Sequence, residues 1–289
     1  MQLARLPNAF TSPTNVVAGY LMVTPVSDLN YASLAILMIS SAFFYVSGII
    51  FNDYFDIELD KKERPSRPLP SGAVSKKRAG QIALWLMGSA MIFAFFVSWS
   101  SFAVAIFLSG IILAYNYRLK HNKTLGPITM GGTRFLNVIF GASPTIQLAF
   151  PTNFWQLIFV ASCVFVYVVV ISLFSSKEIS GIKSRQRVIV LFSINYIVIT
   201  AIAIATFLGL FKPWSFVILA PFTVVMSIIF RQALLGDALV VQRAIKNMII
   251  SIIILDCVFV SGAAGLLYGL PMLTFLLPSI FLSRKFYVT

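Results

Sequence analysis

Apolar runs of roughly 17–25 residues, the length that spans a bilayer, recur along this chain and leave it few folds. Nine such segments are read in the 289 residues, at about 13–28, 31–51, 80–99, 101–117, 132–150, 153–174, 188–210, 213–230 and 248–270. The first is interrupted by Pro13 and Pro25. The tail from Leu270 to Phe286 is apolar too, but it carries Pro271 and Pro278 and reads as an extension or an interfacial segment. Hydrophobic residues make up 59% of the chain and charged residues 11%, against about 25% charged in soluble domains. The expected fold is therefore all-α and polytopic, with about nine transmembrane helices.

The basic residues fall between the runs in an alternating pattern. Loops 52–79, 118–134, 175–187 and 231–247 hold 18 of the 22 Lys and Arg, while the alternate loops hold only Lys212. Positive charge marks the cytoplasmic side, so a multi-pass protein of the cytoplasmic membrane is expected, with its N-terminus and long loops in the cytoplasm. Arg284 and Lys285 would lie outside after nine spans, which argues mildly against that count or for a re-entrant tail. The net charge of +13 fits this bias and an attraction to anionic lipid. Basic residues scattered over membrane loops do not form a nucleic-acid surface. Cys163 and Cys257 lie inside predicted spans and give no disulfide framework or metal spacing. No cleavable signal peptide is read at the N-terminus, and no soluble domain is read; residues 1–289 are taken as one transmembrane unit.

Acidic residues are concentrated instead. Four of the nine lie in Asn52-Asp53-Tyr54-Phe55-Asp56-Ile57-Glu58-Leu59-Asp60, directly after the run from Tyr31 to Phe51. Carboxylates gathered at a helix mouth repel one another and require cationic compensation. On a helix, Asp53, Asp56 and Asp60 at i, i+3 and i+7 face one way, with Asn52 one turn before Asp56. Such hard oxygens suit Mg²⁺ shared with a phosphorylated substrate. Arg64 and Arg67 follow, and guanidinium groups bind phosphate bidentately. Pro65, Pro68, Pro70 and Gly72 should end the helix in an extended turn. A solvated, salt-bridged loop is the alternative reading of the same spacing.

The pattern N-D-x-x-D-x-x-x-D followed by R-P-x-R-P-L-P-S-G resembles the first aspartate-rich motif of the UbiA superfamily of intramembrane prenyltransferases. Its wording is most similar to digeranylgeranylglyceryl phosphate synthases and chlorophyll synthases. The resemblance implies nine helices around a central cavity and Mg²⁺-dependent transfer of a prenyl group from an isoprenyl diphosphate to a lipophilic acceptor, aromatic or of glycerol-phosphate type. It implies Asn52, Asp53, Asp56 and Asp60 as metal ligands and Arg67 on phosphate. Tyr115 to Lys120, with Gly126-Pro127 and Gly131-Gly132-Thr133-Arg134 after it, resembles the family's Y-x-x-x-L-K loop and the helix that follows. Lys120 could reach a diphosphate and Tyr115 could face an allylic cation. Ordinary loop charge and interfacial anchoring are the alternatives for the two. Arg134 could face the cavity or snorkel. Asn15 would be a polar cavity residue or part of a capped helix start.

The chain departs from that pattern at the second acidic motif. At Lys177-Glu178-Ile179-Ser180-Gly181-Ile182-Lys183-Ser184-Arg185 a single carboxylate, Glu178, stands where the family carries three, with Lys183 and Arg185 added. The S-x-x-E-x-x-G run is similar to a divergent EboC-like subgroup. Glu178 is expected to complete the metal site, and Lys183 and Arg185 to neutralise phosphate. The alternative is a protein of the same fold that binds or helps transport an isoprenoid or lipid without prenyl transfer. Asp256 is a rare intramembrane carboxylate, either functional or paired with a neighbouring helix.

Overall fold

The computed structural model describes residues 9–149, 153–175 and 184–285, and among them the regular structure is helical. Helix α1 is Thr11–Val23, α2 Tyr31–Phe55, α3 Ile57–Glu63, α4 Lys76–Val97, α5 Trp99–Tyr117 and α6 Leu125–Ala142. Helix α7 is Phe154–Ser175, α8 Arg185–Phe207, α9 Trp214–Ala233, α10 Ala238–Ile250, α11 Ile252–Ala264 and α12 Leu276–Lys285. Side-chain caps set several starts: the Asn30, Ser75, Ser98 and Ser184 side chains accept from the backbone N–H groups of Ser33, Arg78, Ser101 and Arg187. Gly265, at φ +99, ends α11 in a conformation that a side chain would oppose.

Seven of the described helical segments are long and apolar enough to cross a membrane, the last running Ala238–Ala264 through the kink at Ser251. Nine segments were expected; the two that fall short are α1 and α6. Helix α1 has 13 residues, all buried, and at about 1.5 Å per residue it is shorter than a bilayer core. Helix α6 carries Arg134 and Asn137, which lower its hydropathy. Helix α1 is interior and α6 is buried along one side, where its polar groups need partners in the protein.

Three expected boundaries move. The segment placed at 132–150 begins at Leu125, because the Asn122 side chain accepts from the N–H groups of Thr124 (2.9 Å) and Leu125 (3.0 Å), and Pro127 sits in the first turn, where its missing N–H costs nothing. The loop expected at 231–247 shrinks to residues 234–237; Arg243 and Lys246 ride on α10. The acidic stretch prolongs α2 to Phe55, turns at Asp56 and resumes as α3.

The bundle has two apolar cores. One joins α7 to α11; the other joins α2, α4 and α5. Helices α1 and α6 contribute to both: Val17, Ala18 and Val138 to the first, Val16, Tyr20 and Phe140 to the second. They form the wall between the halves. A Cβ on Gly19 would lie 1.9 Å from the Val138 carbonyl oxygen, and one on Gly141 would lie 2.1 Å from that of Val16. The α1 and α6 backbones touch there because neither residue has a side chain.

Candidate active site

Three carboxylates and two cations meet where α2 passes into α3. Asp53 and Asp60 are 4% exposed. Arg67 Nη1 donates to both oxygens of Asp60 at 2.8 and 2.7 Å and lies 3.5 Å from Asp53 Oδ1. The i, i+7 spacing puts those two carboxylates on one face, and the proline-rich loop brings Arg67 to them. That loop folds back on itself through Ser71 N–H to Arg67 O (3.0 Å) and Val74 N–H to Pro68 O (3.0 Å), with Leu69 buried beneath it.

Asp56 looks the other way, toward the loop after α5. Lys120 Nζ is 2.7 Å from Asp56 Oδ1 and donates to the Asn52 carbonyl (3.3 Å) and side-chain oxygen (3.2 Å). His121 Nε2 lies 3.9 Å from the same Asp56 oxygen. Burial is the main influence on Lys120 and lowers its pKa from the usual 10.5; the hydrogen bond and charge of Asp56 act in the opposite sense. At the exposed edge, Glu58 pairs with Lys61 at 2.9 Å, which lowers its pKa.

Among the described residues, no three His, Cys, Asp or Glu groups gather closely enough to hold a metal ion by themselves. The donor chemistry nonetheless fits Mg²⁺, which takes one or two carboxylates and completes its shell with water and phosphate oxygens. Arg67 Nη2 is buried with no partner among the described residues, a donor left for a ligand oxygen.

Beside this cluster lies a cavity of about 320 Å³. Asn52, Arg64 and Tyr115 stand on its lining, with Phe44, Leu108, Ile112 and Ile171 as apolar wall and Ser12, Arg134 and Asn137 as an inner polar wall. Of the four metal-ligand candidates Asn52, Asp53, Asp56 and Asp60, Asn52 is on the lining; the three carboxylates stand behind, held by Arg67 and Lys120.

The inner polar wall is fully connected. Arg134, 7% exposed, donates to the Asn15 side-chain oxygen (3.1 Å), the Thr11 carbonyl (3.2 Å) and Thr11 Oγ1 (3.0 Å), and stacks 5.0 Å from the Tyr45 ring. Arg134 thus faces the cavity and does not snorkel. Asn15 does not line the cavity; its Nδ2 donates to Asp256 at 2.9 and 2.8 Å, and Thr14 Oγ1 donates to Asp256 at 2.6 Å. Asp256 is thereby the counter-ion of Arg134 through Asn15, paired with a neighbouring helix. Ser12, Ser41 and Asn137 form a second chain, Ser41 Oγ donating to Asn137 Oδ1 at 2.8 Å.

Glu178 and Lys183 lie outside the described residues. Arg185 is exposed at the start of α8, and no described contact joins it to the acidic cluster. Sequence reasoning did not single out Tyr45, Asn116 or Asn137. The legible signal was a lone amide inside an apolar run, which a membrane helix carries only where it has a partner or a cavity.

The UbiA prenyltransferase family matches this sequence over residues 13–253. The chain belongs to that family. It is a multi-pass integral membrane protein. Digeranylgeranylglyceryl phosphate synthase of Thermococcus sibiricus is 28% identical over 178 residues, covering 56% of this chain and 62% of the relative. The synthase of Methanococcoides burtonii is 33% identical over 140 residues, covering 47% and 49%. The chain thus spans less than two thirds of the length of these curated relatives. A UbiA homologue from Aeropyrum pernix shares the fold at a TM-score of 0.72 and 15% identity, over 87% of this chain and 96% of that one. A UbiA homologue from Archaeoglobus fulgidus bound to DMAPP and Mg²⁺ does so at 0.56 and 13% identity, over 95% of this chain and 99% of that one. At these identities the likeness shows the fold.

Proposed function

We propose that this chain transfers a prenyl group from an isoprenyl diphosphate to a lipophilic acceptor within the membrane, with Mg²⁺, from a site that opens to the cytoplasm. The observation that carries the reading is the junction of a hard-oxygen, cation-balanced rim with an apolar cavity, in a family member whose homologue is bound to DMAPP and Mg²⁺. A diphosphate carries the charge that the rim recognises, and a prenyl chain carries the surface that the cavity covers.

In this reading Asn52, Asp53, Asp56 and Asp60 hold Mg²⁺, with Glu178 as a further ligand. When bound, the ion neutralises diphosphate oxygens and stabilises the leaving group. Arg64, Lys120 and the unpartnered Nη2 of Arg67 bind phosphate oxygens, with Lys183 and Arg185 adding charge. Heterolysis of the allylic C–O bond sends the electron pair to diphosphate. The resulting cation faces the Tyr115 ring and walls that exclude water, so the acceptor captures it first, and the proton the acceptor loses passes to the released diphosphate. Arg134, held from behind by Asn15 and Asp256, keeps positive charge on the inner wall, where an acceptor's polar group would enter.

Protein in nanodiscs, given radiolabelled geranylgeranyl diphosphate, Mg²⁺ and membrane lipid extract, tests this. Transfer of label into a new lipid product, abolished in Asp53→Asn and Asp56→Asn, is expected. Binding without any product in the unsubstituted protein would favour the second reading, an isoprenoid-binding relative; the lone Glu178 where the family has three carboxylates is what speaks for it.

A further inference from the structure

Asn116 stands on the cavity wall, 3% exposed. Its Nδ2 donates to the backbone carbonyls of Gly48 at 3.1 Å and Ile112 at 3.0 Å. Two carbonyl partners fix the amide's orientation, since the flipped form would set oxygen against oxygen. Oδ1 is then the other end, and it is buried with no partner among the described residues. Buried acceptors are normally filled, by protein, water or ligand. A second asparagine of the lining is the contrast: Asn137 Oδ1 accepts from Ser41 Oγ at 2.8 Å.

The position of Asn116 says what would fill it. Lys120 reaches Asn52 O at 3.3 Å, and Asn116 reaches Gly48 O. Both pairs are spaced i, i+4, so they form two rungs between α2 and the α5 end, about 6 Å apart. The upper rung belongs to the phosphate-binding rim. The lower one, on a lining it shares with Tyr115 and Ile112, is where the first carbons of a prenyl chain would lie beneath that rim. A nucleophile must come within about 3.5 Å of the reacting carbon.

We infer that Asn116 Oδ1 accepts a hydrogen bond from a hydroxyl of the prenyl acceptor, an inference that rests on the prenyl-transfer reading. The acceptor is then an alcohol or phenol with a free O–H beside the allylic carbon. An amide oxygen aimed at that O–H selects such a molecule over one of equal shape that lacks the hydrogen, because the oxygen would otherwise stay buried and unfilled.

The test uses two hydroxyl probes, hexadecylglycerol and para-nonylphenol, each beside its methyl ether. Binding to protein in nanodiscs is measured with and without geranylgeranyl thiodiphosphate and Mg²⁺. The unsubstituted protein should bind at least one hydroxyl probe about tenfold more tightly than its ether. That preference should vanish in Asn116→Leu and Asn116→Ala, while affinity for the thiodiphosphate stays unchanged, showing that both variants fold. No preference in the unsubstituted protein for either pair, or a preference that survives both substitutions, overturns the inference. So does joint loss of hydroxyl and thiodiphosphate binding in both variants, which would make Asn116 a packing residue. If thiodiphosphate binds no form but the hydroxyl preference still follows Asn116, the hydroxyl site stands and the prenyl-transfer reading falls.

Discussion

Arg67 is the residue on which the rim depends most. One guanidinium pairs with two carboxylates that are nearly inaccessible, so its removal strips Asp60 of its bidentate partner and takes positive charge from beside Asp53. Arg67→Ala should destabilise the protein by about 3 kcal/mol, read as a lowered melting temperature in detergent, with loss of diphosphate binding. Lys120 gives a pH signature. Burial puts its folded pKa below the unfolded value of about 10.4. Between the two values the unfolded chain binds the extra proton, so stability should rise with pH through that window. Diphosphate affinity should fall through the same window as the ammonium discharges. Lys120→Arg stays charged and should show neither slope, which melting and binding across alkaline pH would reveal. That Asp53 and Asp60 share a face was legible in the sequence because helical periodicity is local; that Asp56 turns toward Lys120 was not, because the helix breaks at that residue. Which cation meets which carboxylate was not, because it depends on how residues 64–75 fold back. That Asn116 keeps a free oxygen depends on a neighbouring helix's carbonyl and could not be read from a chain of letters.

Among the helices, α1 and α6 decide whether the two halves meet. Their backbones are in contact at Gly19 and Gly141, and backbone atoms cannot swing aside as a side chain can. Gly141→Val should therefore cost about 3 kcal/mol or more, at the upper end for overpacking. Gly110→Ala, with nothing within 4 Å of the new methyl group, should be neutral or stabilising; thermal melts of the two variants check both outcomes. The apolar runs identified most helices because hydropathy reports lipid contact. The same runs take in α1 and α6, although the 13 residues of α1 and the polar side chains of α6 leave them short of the length and hydropathy of the other seven. A helix face buried in protein carries Asn15, Arg134 and Asn137 where other helices supply their partners, so the bilayer does not set its composition. The basic stretch at 231–247 misled in the opposite sense. Charges on the exposed side of an amphipathic helix read as a loop when only their density is counted.

At the scale of the molecule, the polar rim, the apolar cavity and the wall formed by α1 and α6 make one arrangement. Charge is balanced at the mouth by Arg67 and Lys120, and at the inner wall by Arg134 and Asp256 through Asn15. Between them lies apolar surface suited to a hydrocarbon chain. The family and the multi-pass membrane character were legible from motif and hydropathy; the way Asp256 supports Arg134 was not, because 122 positions separate them in sequence. The central claim is that the rim grips a diphosphate through Mg²⁺. Titration of geranylgeranyl diphosphate into nanodisc-held protein, with Mg²⁺ and with chelator, tests it most directly. The account expects binding that weakens at least about tenfold without Mg²⁺ and similarly in Asp56→Asn, the loss of a charge-assisted contact. Equal affinity with chelator, with Mg²⁺ and in the variant would contradict it.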